Sequence, residues 1–145
     1  MKFVIQRVST ASVTIDNQQV AKINQGLLVL VGIHTEDIPE KADLLFEKLL
    51  KLRIFADEDG KMNKSVSDIE GEILLVSQFT LYGDCSKGNR PSFIKAMPPA
   101  QAEPFYNDFI SKAQAKYPKI QTGQFGADMQ VALINDGPTT IILEN

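Results

Sequence analysis

The run Leu27-Leu28-Val29-Leu30-Val31-Gly32-Ile33 is apolar without interruption and rich in β-branched residues. A strand of that kind has no polar face to give to water, so it must be covered on both sides and sit inside a sheet. A second run, Ile73-Leu74-Leu75-Val76, has the same pattern and then changes character, ending in Ser77-Gln78-Phe79-Thr80-Leu81-Tyr82-Gly83. Any fold for this chain must therefore bury two central strands and bring a polar, aromatic stretch to the end of one of them. With 145 residues there is room for one domain, 1–145, that removes about two-thirds of its unfolded surface from water.

The remaining segments supply the covering layers. Phe3 to Ile15 alternates apolar and polar in two short runs, and Asp16-Asn17-Gln18-Gln19 offers a turn before Val20 to Ile23, which reads as an antiparallel meander. Asp37-Ile38-Pro39-Glu40 provides a cap and an early proline for a helix from Pro39 to Lys51, with Leu44, Leu45, Leu49 and Leu52 at helical spacing. Arg53-Ile54-Phe55 reads as a short strand and Ser65 to Glu70 as a polar linker. Pro98-Pro99 opens a second helix through Ala102, Tyr106, Phe109 and Ala113 that ends near Tyr117-Pro118. Met129 to Ile134 and Thr139 to Leu143 read as two strands separated by Asn135-Asp136-Gly137-Pro138. The order predicts an α/β fold: a mixed, largely antiparallel sheet or partial barrel with two helices packed on it, layered α/β/β.

Composition narrows the chemistry. The net charge of −3 excludes an extended basic surface that grips nucleic acid by phosphate neutralisation alone, so any RNA contact is local and no DNA partner is expected. The local candidates are Lys87, Arg90 and Lys95. One cysteine and one histidine cannot build a His/Cys metal site, and the acidic turn Asp57-Glu58-Asp59-Gly60-Lys61 lacks the spacing of a calcium loop. No metal and no cofactor are expected. The start of the chain has too short an apolar run for a secretory signal, and no stretch reaches the length of a membrane span, which points to the cytoplasm and away from membranes.

Conventional catalytic groups are scarce. His34 follows a buried strand and reads as a strand-end residue; Cys85 has only Lys87 nearby to lower its pKa and reads as a packing residue. Ser77-Gln78-Phe79-Thr80 is more promising, because a strand end frees backbone N–H groups that can receive a developing oxyanion. The Gly137-Pro138 pair reads from composition alone as a tight turn, although proline also permits a cis bond at a cost of only about 0.5–1 kcal/mol.

Taken together, Ser77-Gln78-Phe79-Thr80-Leu81-Tyr82-Gly83 and Asn135-Asp136-Gly137-Pro138-Thr139-Thr140-Ile141 resemble the two signature segments of the D-aminoacyl-tRNA deacylase family, also called D-tyrosyl-tRNA deacylases. Val4-Ile5-Gln6-Arg7-Val8, Gly26 to Gly32 and Lys87 to Phe93 are similar to that family as well, in the same order. The one departure is Thr139, where the family more usually has an apolar β-branched residue.

The resemblance implies a homodimer that hydrolyses the ester of D-aminoacyl-tRNA, and of glycyl-tRNA mischarged on alanine tRNA, while sparing L-aminoacyl-tRNA. By the same resemblance Gly137-Pro138, with its bond cis, enters the site of the other subunit and excludes an L side chain; Arg7 orients this gate. Ser77, Gln78, Phe79 and Thr80 line the catalytic pocket, with backbone N–H groups near Gln78 and Phe79 on the substrate's carbonyl region. Met129 joins the substrate-binding set, and Lys87, Arg90 and Lys95 hold the acceptor end of tRNA. Water assisted by the terminal adenosine's 2′-hydroxyl is preferred as nucleophile over Thr80, which has no base to activate it. Two rivals remain at this stage: an RNA-binding module without catalysis, and a small-molecule hydrolase using Cys85 or His34.

Overall fold

The computed structural model describes residues 1–145. Its spine is β1 (Lys2–Ile15), one strand of 14 residues. The first half of β1 pairs antiparallel with β3 (Gly26–Gly32), and its second half with β2 (Gln18–Ile23). Along its other edge β1 pairs antiparallel with β8 (Gln130–Glu144) over nearly its whole length. β3 then pairs in parallel with β6 (Glu72–Ser77), and β6 in parallel with β7 (Ile120–Thr122). The sheet order is β2-β1-β3-β6-β7, with β8 on β1. Because one strand serves two neighbours in succession, the sheet curls. The backbone N–H of Lys22 in β2 donates to Oε1 of Gln121 in β7 at 2.8 Å, so the two ends of the path meet and the sheet is nearly closed as a barrel.

Two helices, α1 (Pro39–Leu50) and α2 (Pro99–Lys116), lie on the outer face of the sheet. Alternate side chains of the central strands divide between two cores, which is why β3 and β6 read as unbroken apolar runs. Phe3, Ile5, Val29, Val31, Ile73 and Leu75 meet Leu45, Phe46 and Leu49 of α1 and Tyr106 and Phe109 of α2. Val8, Val13, Ile23, Leu28, Leu74 and Val76 fill the barrel interior. Each such fully buried side chain contributes about 1.5–3 kcal/mol. A small hairpin of β4 (Phe55–Ala56) and β5 (Met62–Lys64) stands apart from the main sheet.

The mixed, largely antiparallel near-barrel with two helices matches the expected fold class; several local expectations need correction. Phe3 to Ile15 is one strand and not two runs, because irregularities near Arg7 and Ser9 shift its register without breaking it. Asp37 does not cap α1. Its carboxylate accepts from the N-terminal ammonium of Met1 and from the His34 N–H at 2.7 Å, a charged pairing out of water that outcompetes a cap; Ile38 stands at the N-cap with no side-chain bond. Of Arg53-Ile54-Phe55 only Phe55 is in a strand. The segment Ser65 to Glu70 is no mere linker, since Val66 is fully buried and Asp68 closes a turn on Ser65 N–H at 2.8 Å. The acidic turn is an Asx-type turn in which Asp57 accepts from the N–H groups of Asp59 and Lys61, each at 2.9 Å, and from the Asn63 amide.

Candidate active site

Strand β6 stops at Ser77, and the next residues form a single 3-10 turn, Phe79–Tyr82. Leu81 N–H donates to Gln78 O at 3.2 Å and Gly83 N–H to Thr80 O at 2.9 Å. Phe79 and Thr80 open this turn, so it offers their N–H groups no carbonyl three residues back. These are the donors left at the end of the strand. The Gln78 N–H, expected to face a ligand, instead donates to Val31 O at 2.8 Å and completes the β3–β6 ladder. Of the main-chain donors near Gln78 and Phe79 that the resemblance implies, the Gln78 N–H is thus taken up by the sheet, which extends one bond beyond the strand, and the Phe79 N–H remains beside that of Thr80.

Around this turn lies a cleft of about 680 Å³. Its walls are the strand-end residues Val31, Ile33, Val76 and Ser77, the segment Phe93 to Ala102, and the segment Phe125 to Val131, which includes Met129. Phe79 is 58% exposed and packs edge-on against Phe93 with ring centroids 5.0 Å apart. An aromatic that open to water, with main-chain donors beside it, marks a surface built to take a partly apolar ligand. Behind the lining residue Phe125, Tyr106 of α2 donates its hydroxyl to Leu75 O at 3.2 Å and packs its ring 5.7 Å from that of Phe125. Burial pushes the Tyr106 phenol well above its ordinary value. Gly123 makes room for Met129, whose sulfur would lie 2.5 Å from any Cβ placed there.

The side chains that meet at the turn itself are neutral, and the one ionisable residue lining the cleft is the exposed Asp128. Nε2 of Gln78 donates to Oγ1 of Thr80, and no carboxylate or imidazole reaches that hydroxyl. His34 lies outside the cleft; its Nδ1 accepts from the Glu36 N–H at 3.2 Å and its ring stands 5.2 Å from that of Tyr82. Cys85 is exposed on the excursion from Asp84 to Ser92, away from the cleft lining. That excursion closes on itself through a bridge between Asp84 and Ser92, and hydrogen bonds from Ser86 hold the Asp84 carboxyl below the usual carboxylate range. Lys87 and Arg90 are exposed on it, and Lys95 is exposed directly after Phe93 and Ile94, which line the cleft.

The second signature segment is elsewhere. Asn135-Asp136-Gly137-Pro138 does not separate two strands: β8 runs through it as one strand of 15 residues. The register places Val8 opposite Asn135 and Gln6 opposite Thr140, so the residues from Asp136 to Thr139 bulge out opposite Arg7 alone. The Gly137-Pro138 bond is cis. Arg7 braces the bulge, donating from Nε to Asp136 O at 2.8 Å and from Nη1 to Ile54 O at 2.6 Å. Asn135 closes it from within: its Oδ1 accepts from the Thr139 N–H at 2.7 Å and its Nδ2 donates to Thr140 Oγ1 at 3.1 Å. From the sequence Asn135 reads as a turn residue and as the start of the second signature segment, with no role of its own. The cue to its clamp was the affinity of Asn side chains for nearby main chain.

The structure thus brings Ser77, Gln78, Phe79, Thr80 and Met129 together at one cleft, and Arg7, Gly137 and Pro138 together at another place. Phe3 pairs with Val31, and Val31 with Ser77, so the cleft is level with Phe3, four residues before Arg7. That is about 13 Å along the strand, and β8 is separated from β6 by β1 and β3. Within one chain the bulge does not line the cleft.

A nearly closed mixed sheet, a cleft at the end of a parallel strand and a braced bulge in the last strand define a class, and the chain belongs to the D-Tyr-tRNA(Tyr) deacylase family, whose model matches residues 4–144. A D-aminoacyl-tRNA deacylase of Thermosipho africanus (strain TCF52B) is 51% identical over 145 residues, all of this chain and 97% of that protein. One from Clostridium kluyveri is 50% identical with the same coverage, 100% and 97%. Among solved structures, a protein described as a c-Myc DNA unwinding element binding protein superposes with a TM-score of 0.95 at 49% identity, covering 100% of this chain and 99% of the other. A probable eukaryotic D-amino acid tRNA deacylase superposes with a TM-score of 0.85 at 16% identity over 98% and 97% of the two chains, and so shares the fold.

Proposed function

We propose that this chain, acting as one catalytic unit over 1–145, hydrolyses the ester of D-aminoacyl-tRNA and of glycyl-tRNA mischarged on alanine tRNA, in the cytoplasm and as a homodimer. Deacylation of D-aminoacyl-tRNA is the activity for which its half-identical relatives are named. The finer reading places Gly137-Pro138 of one subunit at the cleft of the other, where main-chain carbonyls occupy the space an L side chain needs. The observation that carries it is the brace: Arg7 and Asn135 fix an exposed bulge that does not line its own cleft. The means of approach is β8, which pairs only with β1 and exposes Ile134 and Ile142 on either side of the bulge. A partner copy pairing there would bury both.

At the cleft, the Phe79 and Thr80 N–H groups receive the ester carbonyl as it becomes an oxyanion, and Phe79 and Phe93 hold the apolar parts of the substrate. Water attacks with help from the adenosine 2′-hydroxyl. Thr80 is not activated, since its only side-chain partner is the neutral Gln78 amide. An aminoacyl ester is already reactive, so positioning worth up to about 7–11 kcal/mol and oxyanion donors worth about 2.7–4 kcal/mol each suffice. Lys87, Arg90 and Lys95 supply a local grip on the acceptor end that the net charge of −3 denies to the surface as a whole. Glycine has no side chain to exclude, hence its acceptance.

The test is deacylation by purified protein of D-tyrosyl-, L-tyrosyl- and glycyl-tRNA side by side. Cleavage of the first and third with the second spared is the expected result. Equal rates on the D and L esters sink the cross-subunit filter, and no cleavage of any sinks the enzyme.

A further inference from the structure

Oxyanion donors help only where they stand in line with the developing charge, so whatever holds the Phe79–Tyr82 turn against the facing wall of the cleft bears on the rate. The two ends of that turn differ. Phe79 and Thr80 are exposed, whereas Tyr82, its last residue, is buried. The Tyr82 ring lies against the end of β3, where Gly32 leaves room for it: a Cβ on Gly32 would meet Leu81 Cβ at 3.1 Å and Tyr82 Cε2 at 3.2 Å. The half-buried His34 stands edge-on to that ring, with centroids 5.2 Å apart and planes at 64°. Lys2 Nζ lies 5.0 Å from the centroid of the same ring. Both kinds of contact are directional, so they fix where the ring sits and not merely that it is buried.

His34 also carries the other wall. It forms an antiparallel bridge to Ala96, and on either side of it the Met97 N–H donates to Ile33 O at 2.9 Å and the Thr35 N–H to Lys95 O at 3.0 Å. These bonds hang the segment Phe93 to Met97, which lines the cleft through Phe93, Ile94, Ala96 and Met97, from the end of β3. The donor turn and the facing wall therefore share one joint, the ring of Tyr82 against the ring of His34, and neither ring lines the cleft. Such a joint gives a use to a histidine whose Nδ1 is already taken by the Glu36 N–H.

We infer that Tyr82 and His34 are positioning residues for the deacylation, their ring contact setting the gap between the main-chain donors at Phe79 and Thr80 and the facing wall. This rests on the deacylase reading above. Because neither ring lines the cleft, loss of the contact falls on kcat and leaves KM nearly intact.

The experiment measures kcat, KM and melting temperature with D-tyrosyl-tRNA for wild type, Tyr82→Leu, Tyr82→Phe, His34→Ala, His34→Phe, the double variant of Tyr82→Leu with His34→Ala, and Gly32→Ala. Leu45→Ala, which removes a core side chain from α1, is the control for lost stability alone. Tyr82→Leu is expected to lower kcat about tenfold, as a small misplacement of the donors does, with KM within about twofold of wild type. His34→Ala loses about fivefold, and the double variant loses about as much as Tyr82→Leu alone, because both changes break one contact. The two Phe variants keep an aromatic ring at the joint and hold kcat within about twofold. Gly32→Ala keeps both rings but presses on the turn from behind, and it too lowers kcat, whereas Leu45→Ala melts lower and keeps its kcat. Wild-type kcat in Tyr82→Leu overturns the inference; should that variant not fold, wild-type kcat in Gly32→Ala and His34→Ala does so. Losses that multiply in the double variant or that fall on KM overturn it as well. So does His34→Phe as slow as His34→Ala, which marks proton transfer, or Leu45→Ala as slow as Tyr82→Leu, which marks general destabilisation. Wild-type protein that cleaves no D-tyrosyl-tRNA sinks the deacylase reading itself, whatever the variants do.

Discussion

Gly137 is held under two constraints. Its φ of +138° lies where side-chain-bearing residues are strained, and a Cβ built on it would meet Thr139 Oγ1 at 2.6 Å and Arg7 Nη2 at 2.8 Å. The second contact matters most, because the guanidinium is already committed to Asp136 O and Ile54 O. Gly137→Ala must therefore push the brace off the bulge or distort the main chain. Backbone strain of this kind costs about 1–3 kcal/mol, a fall in melting temperature of a few degrees for a chain of this size. In the deacylation assay, the same substitution is expected to reduce the preference for D over L substrate at least about tenfold, while the cleft, remote from Gly137 in its own chain, stays formed. Thermal melts read alongside the D to L ratio check it: an intact ratio in a destabilised protein means that the bulge braces the fold and judges nothing.

At the scale of elements, Tyr106 links α2 to β6 and packs against Phe125, which lines the cleft. Its hydroxyl bonds Leu75 O in the interior, and burial raises its pKa in the folded chain. An unfolded chain loses the same proton near about pH 10. Below that pH the phenol is protonated in both states and its contribution is whole; as pH rises above it, the unfolded state ionises first and stability falls towards the folded pKa. Tyr106→Phe is expected to cost about 0.5–1.5 kcal/mol at neutral pH for the lost bond and to flatten the alkaline decline. Tyr82 and Tyr117, also raised by burial, keep part of that decline in place. Urea denaturation at pH 7 and at pH 11 measures both effects. Strands β3 and β6 were legible in the sequence because their apolar runs are unbroken, and α2 because Pro98-Pro99 opens it and Ala102, Tyr106, Phe109 and Ala113 recur at helical spacing. The long strands β1 and β8 were not, since a polar Asn-Asp-Gly-Pro stretch looks the same whether it reverses the chain or bulges within it, and only pairing with Arg7 and its neighbours decides. The cleft was half legible: Ser77 to Thr80 announced themselves by a polar strand end, whereas the occupied N–H of Gln78 and the clamp at Asn135 depend on partners distant in sequence or on register.

For the whole molecule the question is what β8 does with its free edge. Val131 and Leu133 pack towards the barrel interior, while Ile134 and Ile142 stand 60% and 62% exposed on strand positions next to the bulge. A long edge strand carrying apolar side chains invites another chain, and a self-complementary contact between two copies is its commonest satisfaction. Such a contact would use the same strand that carries Gly137-Pro138, so that under the proposed cross-subunit reading assembly and delivery of the gate would be one event. Ile134→Asp places a charge on that edge without touching either core of a single chain. The expected protein is folded by circular dichroism, monomeric by sedimentation, and stripped of chiral deacylation although all of its own cleft residues are unchanged. A monomer that still cleaves D-aminoacyl-tRNA and spares the L ester has a complete site within one chain, and the borrowed gate is then wrong.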